Sequence, residues 1–374
     1  MEGGEFQLRF FQGLVHDFYE YQDNNTDFLR FSTSMLDRIK SHLKDKILVS
    51  ASRIGFVHRP SYERLTDIVQ NLDEFERLYH LLADEWSRLL LVELLKFRVL
   101  APRHVKLPLN NKDYWGLYTT VDKRFLKARG TARLSDANWT NWRLNRYRIP
   151  GTEGEIDLHA SPGSILNTFL LEQYAYKKRS KILRAQAGDV IIDAGGCWGD
   201  TALYFADRTG PQGRVYCFEF NPDNLAILER NVALNPRMAG RIVTVRNALW
   251  GSSGQILNFV PSGPGTSLYS KKEAGTLPVS TVCIDDFVRD QGIERLDFVK
   301  MDVEGAELAA LRGAEKTLRA FRPRLAISLY HRDDDLVAIP DYLNKLDLQH
   351  AFFLDHFTIH REETMLFAET KADR

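Results

Sequence analysis

Residues 190–200 read Val-Ile-Ile-Asp-Ala-Gly-Gly-Cys-Trp-Gly-Asp, and their types and spacing suit the capture of a charged small molecule. A short run with strand character ends in an acid, and a glycine-rich turn then leads straight into a helix. Such a turn lets the backbone pass close to a ligand, while the free N–H groups and positive dipole end of the helix face the same space. A second apolar run, Arg214-Val-Tyr-Cys-Phe-Glu219, ends in a carboxylate. It lies about twenty residues on, where nucleotide-binding α/β folds place the acid that holds ribose hydroxyls. The glycine order, Asp193-x-Gly195-Gly196-Cys197-Trp198-Gly199-Asp200, lacks the second glycine of the dinucleotide pattern G-x-G-x-x-G. Carboxylates at Asp193 and Asp200 would repel a pyrophosphate but attract a sulfonium and an amino-acid ammonium. By charge sign, S-adenosylmethionine is therefore a better match than NAD.

Around that ligand the candidate cofactor residues are Asp193, Gly195, Gly196 and Gly199 at its methionine end, and Glu219 on both ribose hydroxyls. Asn221, Asn247 at the adenine edge and Asp302 beside the methyl group complete the set. Each has a structural alternative: a tight strand-to-helix turn for the loop, capping of the helix near Pro222 for Glu219 or Asn221, and a plain turn for Asn247. Methyl transfer to a hydroxyl needs an in-line approach and a group that takes the proton or lowers its pKa. The candidates are Asp302, His331 and His356, with His331 ranked first as general base. Packing against a backbone carbonyl is the alternative for either histidine. Asp302, His331, Asp355 and His356 also mix carboxylate and imidazole in a way that suits magnesium or manganese. They sit on separate strands without a diagnostic spacing, so metal ranks below histidine catalysis. Glu304 has an equal claim as a helix-capping acid.

These side chains require strand ends to hold them. Strands are expected at 190–194, 215–219, 242–247, 298–301, 325–329, 351–354 and 365–368, with helices after the first two and at 308–319 and 339–346. The alternation predicts an α/β doubly wound sheet, whose ligands bind beyond the carboxyl ends of the strands where the winding reverses. An extra hairpin, 255–260 with 277–283, flanks a Pro261-Ser-Gly-Pro-Gly-Thr loop suited to closing over a substrate. Ahead of it, residues 1–160 are expected to be a mainly helical cap or oligomerisation region, and 161–374 the cofactor-binding domain. Helical blocks are read at 5–21, 27–43, 61–99 and 165–181. The stretch 103–155, with Trp115, Trp139 and Trp142, is read as an irregular cap or linker. Tyr114 and Trp115 would suit stacking on sugar rings or core packing. The basic run 177–181 is read as a solvated helix end.

The 374 residues carry 50 Lys and Arg against 50 Asp and Glu, and 44% are hydrophobic, which suits a large core and two domains. A balanced charge argues against nucleic acid as a partner. No apolar run reaches the roughly 18 residues of a membrane span, and residues 1–5 lack a secretory signal, so a cytoplasmic, membrane-free protein is expected. Cys197, Cys217 and Cys283 suit reduced thiols.

In combination, D-A-G-G-C-W-G-D-T (193–201), V-Y-C-F-E-F-N-P-D-N (215–224), S-T-V-C-I-D-D-F (280–287), L-D-F-V-K-M-D-V-E-G-A-E (296–307), L-A-I-S-L-Y-H (325–331) and E-T-M-L-F-A (363–368) resemble the FkbM family of S-adenosylmethionine-dependent methyltransferases. The resemblance covers roughly the second half of the chain. It implies a class I methyltransferase, Rossmann-like fold and O-methylation of a hydroxyl on a sugar, glycan or secondary metabolite. Members more often carry Asn where Cys197 stands, and nothing in the resemblance accounts for the helical first part, for which substrate capping or homodimer formation is open. The competing classes are a methyltransferase-like binding subunit without catalysis and an NAD-dependent oxidoreductase. The second would leave the late motifs unexplained.

Overall fold

The computed structural model describes residues 4–20, 60–102, 104–135, 141–269 and 275–370. The expected helix at 27–43 and the Trp139 position lie outside these residues, as does the side chain of Trp142. The chain forms two compact units, one of residues 1–111 with Thr358–Arg361 and the other of Lys112–Phe357 with Glu362–Arg374.

The first unit is helical: α1 Glu5–Tyr19, α2 Pro60–Gln70, α3 Leu72–Leu81 and α4 Glu85–Leu100. The expected continuous helix over 61–99 is three helices, because Asp84 takes an extended conformation and accepts from the Ser87 N–H, which starts α4 afresh. Phe6 and Phe10 of α1 are fully buried, and the nearly buried Lys96 ammonium lies 2.7 Å from both Asp17 and Glu93.

The second unit begins with α5 Lys112–Phe125 and an antiparallel sheet of β1 Leu126–Ser135, β2 Asn141–Gly151 and β3 Gly154–Ala160. The expected irregularity of 103–155 is corrected here. Residues 126–160 are sheet, and they belong to the same unit as the main sheet. Trp198 is core: it packs with Ala132, Leu144 and Ile227.

The helix expected at 165–181 is replaced by a turn of π-helix, Ile165–Leu170, and a hairpin of β4 Tyr176–Lys178 and β5 Lys181–Leu183. Lys177, Lys178 and Lys181, read as a solvated helix end, instead pair with Glu172, Asp355 and Glu369. Tyr114 is buried in α5 against Trp115 and Tyr118, a packing role.

Next come β6 Val190–Ala194, α6 Asp200–Thr209, β7 Arg214–Phe218, α7 Pro222–Ala233, β8 Ile242–Val245 and β9 Ala248–Leu249. The excursion β10 Ile256–Phe259, β11 Leu268–Tyr269 and β12 Leu277–Val282 contains the expected hairpin, β10 against β12. The chain continues through α8 Ile284–Asp290, β13 Phe298–Met301, α9 Glu307–Arg312, α10 Glu315–Phe321, β14 Arg324–Ser328, α11 Asp335–Lys345, β15 His350–His356 and β16 Thr364–Thr370.

The main sheet runs β15-β16-β14-β13-β6-β7-β8, with β16 antiparallel to both its neighbours and the other pairings parallel. Short, almost wholly apolar strands such as Phe298–Met301 suit a sheet covered on both faces. From β6 the chain winds outward through β7 and β8, then returns to β13 on the other side. The winding therefore reverses between β6 and β13, and sheets of this topology bind their ligands beyond the carboxyl ends of such strands.

Candidate functional site

Asp193 ends β6 and is fully buried. Its Oδ2 accepts from the Thr201 hydroxyl at 2.7 Å, and its Oδ1 lies 3.2 Å from the Lys300 ammonium. Lys300, also buried, sits in register beside it on β13 and donates to the carbonyls of Ala194 at 3.0 Å and Gly195 at 2.6 Å. Burial pulls the Lys300 pKa down, but Asp193 and Asp302 outweigh it and hold the ammonium above its usual range. Asp193 therefore braces the loop from inside.

The glycines likewise answer to the protein. Gly195 has φ +87°, and a Cβ there would lie 1.8 Å from the Asp302 carbonyl oxygen; a Cβ on Gly196 would lie 2.1 Å from the Cys217 sulfur. Both amides donate to the Phe218 carbonyl. The close approach that demands glycine is thus loop to β7 and β13. Gly199 opens α6, and Cys197 stands at φ +44°, a region where Asn is commoner than Cys, in keeping with the usual Asn there. Asp200 is buried and accepts from Thr168 on the π-turn.

Glu219 succeeds β7, nearly buried beside this loop. One oxygen accepts from the N–H groups of Phe220 and Asn221 at 2.8 and 2.7 Å, and the other from Asn224 at 3.3 Å. Burial pushes its pKa to about 7 against the pull of these donors. The backbone of Cys197 adds a further hydrogen bond to this carboxylate, which joins the glycine loop to the end of β7. Asn221 is the N-cap of α7, accepting from the Asp223 N–H while donating to Thr266 of the 261–266 loop. Asn247 donates to the Ser280 carbonyl and so ties the end of β8 to β12. The Asn221 amide is engaged at both ends by protein partners, and that of Asn247 at its nitrogen.

Asp302 succeeds β13, its carboxylate accepting from the hydroxyls of Tyr174 at 3.0 Å and Tyr330 at 3.1 Å. His331 places Nε2 3.4 Å from Asp302 Oδ1 and 3.4 Å from Glu304 Oε1, and Nδ1 2.8 Å from Glu307 Oε1. Glu307 is fully buried and accepts the N–H groups of Val303 and Gly305. Burial lowers the His331 pKa, but Glu304, Glu307 and Asp302 outweigh it and raise it well above neutrality. Burial raises that of Asp302, while His331 and Lys300 bring it below the usual carboxylate range. On protein contacts alone these acids favour the protonated imidazole, and Glu307 holds its Nδ1.

His356 lies elsewhere. It ends β15, two strands removed from β14, with Nδ1 2.9 Å from the Thr364 hydroxyl, and neighbouring Asp355 pairs with Lys178 at 2.9 Å. The expected metal set therefore splits, and Glu304 replaces Asp355 and His356 beside Asp302 and His331. The sequence pattern did not single out Lys300, Tyr174, Tyr330 or Glu307. A lysine inside the apolar run Phe298–Met301 was itself a signal, since lysine is seldom buried without a partner; the tyrosines offered none.

The sheet order is that of class I methyltransferases. The crystal structure of methyltransferase FkbM from Methylobacillus flagellatus KT has the same fold, with a TM-score of 0.52 and 22% identity over 81% of this chain and 60% of that one. Residues 185–352 match the family model described as the methyltransferase FkbM domain. Methyltransferase sdnD of Sordaria araneosa is 31% identical over 158 residues, 34% of this chain and 60% of that protein. Hexuronic acid methyltransferase AglP of Haloferax volcanii is 32% identical over 139 residues, 36% and 54% of the respective chains. The chain thus spans a little over half the length of these two relatives. Among the described residues, no helix is long and apolar enough to cross a membrane.

Proposed function

We propose that this chain is an O-methyltransferase that uses S-adenosylmethionine and acts on a hydroxyl of a sugar or sugar-like metabolite. The observation that carries the reading is the pair of carboxylates facing the switch point, Glu219 after β7 and Asp302 after β13, on either side of the glycine loop. Glu219 would hold the ribose and the 195–199 loop the methionine end, and Asp302 would stand at the reacting end. When bound, the cofactor supplies a sulfonium-activated methyl group.

The remaining chemistry is the chain's own. Asp302, oriented by Tyr174 and Tyr330, accepts a hydrogen bond from the acceptor hydroxyl and aims its oxygen in line. The hydroxyl proton released on methyl transfer would pass toward the Asp302 carboxylate. The similarity to AglP supports a sugar acceptor, and a hexuronic acid glycoside is the first to try.

Calorimetric titration with S-adenosylhomocysteine, NAD in parallel, tests the cofactor. Transfer of labelled methyl to uronic acid glycosides tests the acceptor. Binding of S-adenosylhomocysteine alone is expected, with Asp302→Asn retaining it while losing most turnover. Binding of NAD instead would overturn the reading.

A further inference from the structure

We infer that Asp302, Glu304 and His331 form a divalent-cation site, oriented from behind by Glu307. One atom from each residue, His331 Nε2 and one carboxylate oxygen apiece, lies within 4.8 Å of the other two, and the two distances from Nε2 are both 3.4 Å. Ligand atoms bonded at about 2.1 Å around one cation stand about 3.0 to 3.4 Å apart in octahedral or tetrahedral geometry. A charge-assisted hydrogen bond would be shorter, about 2.7 to 2.9 Å.

The tautomer points the same way. Glu307, held by two backbone N–H groups, takes the Nδ1–H of His331 at 2.8 Å. That leaves Nε2 facing two carboxylates, where either a proton or a metal ion can stand. The imidazole is only 7% exposed, and Nε2 has no hydrogen-bond partner among the described residues. A proton on Nε2 would draw a carboxylate in to charge-assisted hydrogen-bond distance, whereas both stand 3.4 Å away, a spacing that a shared cation accommodates. Three carboxylates against one imidazole leave a charge deficit that a dication reduces. A carboxylate receiving the far N–H of a ligating histidine is the usual support of such a ligand, and the Tyr174 and Tyr330 hydroxyls orient Asp302 in the same manner. One nitrogen and two anionic oxygens suit a first-row divalent ion such as manganese.

The cation's use in methyl transfer rests on the function proposed above, since a dication lowers the pKa of a hydroxyl beside it. Binding itself does not. The test is titration of the full chain, stripped with chelator, with manganese chloride, tracking loss of the free-ion electron paramagnetic resonance signal. S-adenosylhomocysteine is titrated in parallel.

One ion per chain is expected. His331→Ala and Glu304→Gln should each weaken binding at least about tenfold, and Glu307→Gln, which touches no ion, about tenfold or more through the histidine. Asp333→Asn, in the run Asp333-Asp334-Asp335 that follows Arg332, should leave it unchanged. No signal loss at millimolar manganese, or equal binding in the wild type and in His331→Ala and Glu304→Gln proteins of unaltered melting temperature, would overturn the inference. Homocysteine-compound binding without manganese would sink the cation site alone. Manganese binding without the compound would sink the cofactor reading and leave the site standing.

Discussion

Lys300 shows how one residue can hold a site it need not touch. Its ammonium neutralises the fully buried Asp193 and pins two carbonyls of the loop. Removing one partner of a buried pair strands the other, so Lys300→Met should cost about 3 to 5 kcal/mol in urea denaturation. The double change with Asp193→Asn should cost less than the sum of the two single changes. Glu219 gives a pH prediction. Its folded pKa of about 7 lies above the ordinary carboxyl value, so the folded state holds its proton more tightly than the unfolded state. Its contribution to stability is present in acid and lost as pH rises toward and through 7. The melting temperature of Glu219→Gln relative to the wild type should therefore be higher at pH 8 than at pH 5. Because the ionised form is the better acceptor for ribose hydroxyls, wild-type affinity for S-adenosylhomocysteine should fall as pH drops below about 7, by calorimetry at several pH values.

At the scale of elements, the loop between β6 and α6 is built by the strands on either side of it. Gly195 approaches the backbone after β13, and Gly196 the side chain of Cys217 on β7. Gly195→Ala combines a positive φ with an overlap against a carbonyl that cannot rotate away, so it should destabilise by at least about 2 kcal/mol. Affinity for S-adenosylhomocysteine should fall with it, both measured on the same preparation. A Gly196→Ala protein meets a cysteine side chain instead, and pairing it with Cys217→Ala should restore part of the loss. The π-turn Ile165–Leu170 supplies Thr168 to Asp200, so the segment before β4 steadies the first turn of α6.

For the whole molecule, the division into units makes a prediction about fragments. Asn231 of α7 bonds the N–H and carbonyl of His159, Asn235 does the same for Asp157, and Asp207 accepts from Thr152. The sheet β1–β3 also covers Trp198. A fragment beginning at Lys112 should melt cooperatively by circular dichroism, whereas one beginning at residue 161 should not. Equal melting of the two would set the boundary after residue 160.

Periodicity and turn residues by themselves determined the strands of the main sheet, the β10–β12 hairpin and the places where a ligand edge must form. Alternation of short apolar runs with helices is local information, and glycines, acids and prolines mark its ends. The tertiary structure decided what those residues do. The bracing by Asp193 is not legible in sequence because its partner, Lys300, lies on a strand brought alongside only by the crossover to β13. His331 gains its acid neighbours only where Glu304, Glu307 and Asp302 converge on it, while His356 is carried two strands away from β14 by β16. Residues 126–160 read as irregular because charged strands in a small sheet lack clear alternation, and their helix partner α7 comes later in the chain. Charge state and hydrogen-bond partners depend on which strands are neighbours, and strand order is not written in any local window.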